Sequence, residues 1–142
     1  MIIKFFQIDQ IKLNQNKNNL ILFYGKNEGL KKKTIKDLIK NEKGTIFNYE
    51  EKEIIDNQIL FVENLLTRSL FETKKVIIIK RVTDKIINFI DEIKTKNLDD
   101  ILIILEAGNL EKKSKLRTNF EKDKNYICIP FYPDNEQTLS KL

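Results

Sequence analysis

The sequence predicts an α/β domain, a parallel five-stranded sheet flanked by helices. Three observations carry that expectation. Five short apolar runs recur along the 142 residues. Two of them, Val76 to Ile79 and Ile101 to Leu105, are apolar at consecutive positions, so both faces of those strands need cover, as in a parallel sheet between helices. Helical patterns separate the runs, and alternation of strand and helix points to a doubly wound domain.

Taken in order, the first strand is Leu20 to Tyr24, preceded by a polar stretch, Asn14 to Asn19, that reads as a surface loop. A turn, Gly25-Lys26-Asn27-Glu28-Gly29, leads into a helix marked by Ile35, Leu38 and Ile39, which stops near Asn41 and Gly44. Thr45 to Tyr49 is the second strand. Ile55, Ile59, Val62, Leu65 and Leu66 recur at three- and four-residue spacing and predict one helix. Lys75 to Ile79 follows as the third strand, then a helix on Ile86, Ile90 and Ile93. Ile101 to Leu105 is the fourth strand, and Leu116 and Phe120 mark a short helix. The last run, Tyr126 to Ile129, is broken by Pro130-Phe131-Tyr132-Pro133. Asp134 with Gln137 three residues later is an N-cap signature, and Leu139 and Leu142 start an apolar face. The expected organisation is therefore one domain over 1–133, with 134–142 the start of a helix of a next domain, cut short here.

Composition narrows function. Hydrophobic residues make up 41%, enough for a core, and 26 Lys and Arg against 21 Asp and Glu give a net charge of +5. That excess is small for a dedicated nucleic-acid binder. The chain has no His, which removes imidazole from every mechanism, and its one Cys allows neither an internal disulfide nor a thiolate metal cluster. Cys128 lies in an apolar run and reads as a small buried hydrophobe. The Met1-Ile2-Ile3-Lys4 start has no signal-peptide core, and no apolar run approaches the roughly 18 residues of a membrane span. A reduced, cytoplasmic protein without metal, cofactor or membrane contact is expected.

A strand, a glycine turn and a helix invite comparison with the phosphate loop G-x-x-x-x-G-K-[ST], whose amides cradle phosphates and whose hydroxyl meets Mg²⁺. Here Leu30 stands in the place of the second glycine, no Lys-Ser or Lys-Thr pair opens the helix, and Glu28 puts a carboxylate where phosphates would lie. A working site also needs an acidic residue at a strand end to hold the metal; after Ile79 come Lys80 and Arg81. Glu106, after the fourth strand, is a lone carboxylate and reads as a turn or cap ligand. The topology is that of a P-loop NTPase with a degenerate nucleotide site.

Ser69-Leu70-Phe71 sits between the second helical pattern and the third strand. Two large apolar side chains in a connection either tuck under the sheet or point outward to grip a partner. Lys74, Lys75, Lys80 and Arg81, around the same strand, are candidate basic contacts.

These blocks, in this order, resemble the N-terminal domain of the delta subunit of the bacterial DNA polymerase III clamp loader. Leu22-Phe23-Tyr24-Gly25-Lys26-Asn27-Glu28 is similar to the family's opening. Ser69-Leu70-Phe71 with Lys74 to Lys80 is similar to its Ser-Leu-Phe and basic strand block. Leu102 to Leu110 followed by Lys113-Ser114-Lys115-Leu116 is similar to its Glu-Ala-Gly and Lys-Ser-Lys-Leu signature, and Pro130-Phe131-Tyr132-Pro133 to its passage into a second domain. The resemblance implies an AAA+-like domain that has lost nucleotide binding. It also implies a non-catalytic role in DNA replication within the DNA polymerase III holoenzyme. Leu70 and Phe71, with Ser69, would then be the wedge that enters a pocket of the sliding clamp (the beta subunit) and opens the ring. The other loader subunits would be met through a C-terminal region absent here, and DNA only in the full complex. Arg68 departs from the family pattern, which often has an apolar residue or Pro there, so the wedge rests on Leu70 and Phe71. Two other readings stand beside this one: a divergent P-loop nucleotide-binding enzyme, and a basic nucleic-acid-binding domain using Lys31 to Lys33 or Lys112, Lys113, Lys115 and Arg117.

Overall fold

The computed structural model describes residues 2, 20–40, 45–69, 75–96, 101–123 and 126–132. Strands β1 (Leu20–Tyr24), β2 (Thr45–Glu50), β3 (Lys75–Val82), β4 (Ile101–Ala107) and β5 (Ile127–Pro130) form a five-stranded sheet in the order β2-β3-β4-β1-β5. Every pairing in it is parallel. Helices α1 (Glu28–Lys40), α2 (Glu51–Asp56), α3 (Gln58–Ser69), α4 (Ile87–Lys94) and α5 (Lys115–Lys122) lie in the connections, and a 3-10 turn, Asp84–Ile86, leads into α4.

Handedness explains the layers. Right-handed crossovers put helices on one face when the chain moves one way across a sheet and on the other face when it moves back. From β1 the chain crosses to the far edge at β2, so α1 lies on one face; from β2 it returns through β3 and β4 and steps over β1 to β5, so α2 to α5 lie on the other. Two separate cores record the division. Ile21, Phe23, Ile78 and Ile104 pack with Ile35 of α1. Leu22, Ile77, Ile79, Ile103 and Leu105 pack with Val62, Leu65, Phe89, Ile90, Leu116 and Phe120. The unbroken apolar runs of β3 and β4 follow directly, because alternate residues enter different cores.

The helix expected over Ile55 to Leu66 is two helices. The chain breaks at Asn57 (φ −139°), and the phase of the apolar stripe changes there. Ile54, not Ile55, is fully buried in α2, while Ile59, expected on the apolar face, is 75% exposed. Both strand ends run further than their apolar runs: β3 takes in Lys80 and Arg81, and β4 takes in Glu106. Among the described residues no helix is long and apolar enough to cross a membrane. The loop expected over Asn14 to Asn19, the helix stop at Asn41 and Gly44, and the helix expected from Asp134 lie outside the described residues.

The Lys113-Ser114-Lys115-Leu116 block has a structural role. Ser114 is the N-cap of α5, its hydroxyl accepting from the Arg117 N–H at 3.3 Å. Asp84 reaches over from the 3-10 turn. Its carboxylate accepts from Ser114 Oγ at 2.7 Å and from the N–H groups of Leu116 at 3.1 Å and Lys115 at 3.3 Å. These bonds, Ser114 first, hold the Asp84 carboxyl below its ordinary 3.8. A depressed carboxyl adds stability above the unfolded-state value and loses it as pH falls through the folded one. Asp84→Asn is therefore expected to cost about 1 kcal/mol at neutral pH, the size of a lost helix cap. In urea titrations the two proteins should converge well below pH 3.8.

Candidate functional site

The turn after β1 is where the conserved chemistry of a phosphate loop would sit in this topology, just outside the carboxyl ends of the strands. Gly25 has φ +120°, and a Cβ there would stand 2.1 Å from the Phe131 carbonyl oxygen. Its N–H donates to Gly108 O at 2.9 Å, and Phe131 N donates to Tyr24 O at 2.7 Å. Asn27 N donates to Phe131 O at 3.2 Å, while the Asn27 side chain accepts from Leu30 N at 3.1 Å and so caps α1. The turn is thus shorter than Gly25 to Gly29, and Gly29 is already helical. Three of the sequence blocks, Tyr24-Gly25, Glu106-Ala107-Gly108 and Pro130-Phe131-Tyr132, meet at this one junction.

Lys31 is the residue that sequence reasoning missed. It stands six places after Gly25, the spacing of the phosphate-loop lysine, although Leu30 before it is not the expected glycine. The lysine position is therefore filled, although no Ser or Thr follows it to complete the pair. The side chain is fully buried, and its ammonium donates to Glu28 Oε1 at 2.6 Å and to the Ala107 carbonyl at 2.7 Å. The next position, where a Mg²⁺-binding hydroxyl would be, is the exposed Lys32.

At the end of β3 the register brings Glu50, Lys80 and Glu106 into one cross-strand row on the α1 face. A bulge between Lys80 and Val82 turns Arg81 outward at φ 58°, where it is 3.7 Å from Glu50. Such an exposed pair contributes little to stability. Between α1 and the carboxyl ends of β2, β3 and β4 lies a cleft of about 850 Å³, lined by Ile35, Ile39, Ile78, Lys36, Lys80 and Glu106 among others. Glu106 is a cleft-wall residue, not the turn or cap ligand expected of it.

The candidate partner-binding residues divide. Ser69, read as part of the connection, is the last residue of α3. Leu70, Phe71 and Lys74 lie outside the described residues. Lys75 is only 3% exposed, at the amino end of β3 beside Phe47, Phe61 and Leu65, so it is not a surface contact. Lys80 and Arg81 are exposed but stand at the opposite end of the same strand, roughly 16–20 Å away at 3.3 Å per residue. Lys75, Lys80 and Arg81 are therefore not one patch. Of the group Lys112, Lys113, Lys115 and Arg117, the last is turned inward. Its guanidinium donates to Glu121 at 2.8 Å and to Leu110 O at 2.9 Å, and lies over the Tyr24 ring. Lys31, in the other basic group, is buried. Cys128 is fully buried, and burial pushes its thiol up to about 11, the environment of an inert packing residue.

No family model matches the sequence. No curated protein matches it either. Among solved structures the fold is similar to a clamp-loader subunit. That structure is the DNA clamp loader delta protein of Bacillus subtilis, similar at a TM-score of 0.63 with 12% identity over 96% of this chain and 45% of that one. The chain spans less than half the length of that protein, and what the two share is the fold.

Proposed function

We propose that this chain is a non-catalytic clamp-loader subunit of the delta type, which binds a DNA sliding clamp and favours its open form. Residues 1–133 form the clamp-binding domain on this reading. Leu70 and Phe71 are the wedge, carried on the connection after Ser69. The observation that carries the reading is the fold, similar over 96% of the chain to a clamp loader delta protein. The occupied lysine of the β1–α1 turn supports a role without nucleotide chemistry.

The mechanism needs no bond to be made or broken. A closed ring in equilibrium with a rare open form shifts toward opening when a partner binds the open form more tightly. An aromatic and an aliphatic side chain entering one apolar pocket give the concentrated affinity such a partner needs. Helix α3 supplies a rigid mount, because Val62 and Leu65 anchor it to the core. Contacts with other loader subunits and with DNA belong to the full assembly, and the setting is cytoplasmic.

Two measurements test this together. Calorimetric titration with Mg-ATP is expected to give no binding heat, since Glu28 occupies the lysine and no hydroxyl follows it; micromolar affinity would revive the enzyme reading. Size-exclusion chromatography with the sliding clamp of the same organism is expected to show co-elution, and two separate peaks at micromolar concentrations would count against clamp binding.

A further inference from the structure

We propose that Glu28 is a built-in counter-ion that takes the place of a bound phosphate, so that the β1–α1 turn is held closed without any ligand. An ammonium with no exposed surface is costly to bury unless it is paired and hydrogen-bonded. Lys31 meets that demand within the chain: Glu28 Oε1 at 2.6 Å supplies the charge and the Ala107 carbonyl at 2.7 Å supplies a second acceptor. Glu28 is in the first turn of α1, where negative charge is also favoured by the helix dipole. Its side chain is 58% exposed, so the carboxylate approaches the ammonium from the solvent side, the side from which a ligand would come. The Ala107 bond fixes the other end. It ties α1 to the end of β4 beside the Gly25–Gly108 hydrogen bond, so the lysine joins two elements that flank the point where the chain changes direction across the sheet. The Lys31–Glu28 pair thus does structurally what a nucleotide phosphate does in a working phosphate loop. It neutralises the lysine and sets the loop, permanently.

The proposal rests on the reading of a turn without nucleotide. Mg-ATP binding by the wild-type chain would overturn that reading, whereas coupling between Glu28 and Lys31 tests this proposal alone. Thermal melts of wild type, Glu28→Gln, Lys31→Met and the double variant give the coupling. Glu28→Gln is expected to lower Tm by roughly 5 °C or more, and adding Lys31→Met to recover part of that loss, because the unmatched charge is gone. Glu28→Ala, which opens space in front of the ammonium, gives the second readout. Inorganic phosphate, against chloride at equal ionic strength, should raise its Tm more than that of wild type or of Glu28→Ala/Lys31→Met. If Glu28→Ala does not fold in chloride, refolding yield with and without phosphate is compared in the same way. Additive effects of the two single variants would overturn the proposal, as would a phosphate effect that is the same with and without Lys31.

Discussion

Gly25→Ala is expected to leave little or no cooperatively folded protein. The added Cβ would meet three backbone atoms of Phe131, its carbonyl oxygen at 2.1 Å, carbonyl carbon at 2.7 Å and nitrogen at 2.8 Å. Backbone atoms cannot turn aside as a side chain would. The residue's φ of +120° adds strain for any L side chain, of order 1–3 kcal/mol. Relief requires Phe131 to move, which breaks its hydrogen bond to Tyr24 and shifts a fully buried ring packed 5.3 Å from that of Phe23. Together these exceed about 4 kcal/mol, a large share of the 5–15 kcal/mol that holds a typical domain folded. The control is Gly29→Ala, inside α1 with its nearest neighbouring atom at 4.0 Å, expected to be neutral or to stabilise by up to about 1 kcal/mol. Circular-dichroism melts of both separate the cases. A Gly25→Ala protein that melts like wild type would mean the turn is not built this way.

Much of this fold is readable from residue pattern alone, for identifiable reasons. Strands β1, β3, β4 and β5 announce themselves as apolar runs because both faces of the sheet are covered there, while the edge strand β2 is partly exposed and mixes polar residues into its run. The placement of Ile86, Ile90, Ile93, Leu116 and Phe120 on buried helix faces follows from their spacing, and all five are in the core. What pattern could not deliver were facts set by tertiary geometry. The break at Asn57 is invisible to a period count that runs through it, so Ile59 looks like a core residue. Lys75 is charged and follows another lysine, yet the parallel register places it in a row between Thr45 and Ile101, beside Phe61 and Leu65 of α3. At the phosphate-loop turn, attention to the missing glycine at Leu30 hid the lysine at the next position; the spacing from Gly25 alone would have found it. Its pairing with the Ala107 carbonyl joins residues 76 apart in sequence, which no local motif specifies.

Alanine at Leu70 or Phe71 is expected to weaken clamp binding by one to two powers of ten for each residue, with folding nearly unchanged. A central aromatic anchor is typically worth about 2 kcal/mol or more on truncation. Complete burial of a leucine contributes roughly 1.5–3 kcal/mol, and each ~1.4 kcal/mol is a factor of ten in Kd. Ser69 ends α3 and Lys75 begins β3, so Leu70 and Phe71 fall in sequence before the amino end of that strand, whereas the turn at Gly25 follows the carboxyl end of β1.

The most direct test of the clamp-opening proposal is a titration of fluorescently labelled sliding clamp with wild type, Leu70→Ala, Phe71→Ala and the double variant, each protein also followed through a thermal melt. The predicted result is saturable binding by wild type, a loss of ten- to a hundredfold for each single variant, a larger loss for the double, and melts within about 2 °C of one another. Unchanged clamp affinity in variants with normal melts, or lost affinity accompanied by a large fall in Tm, would contradict it.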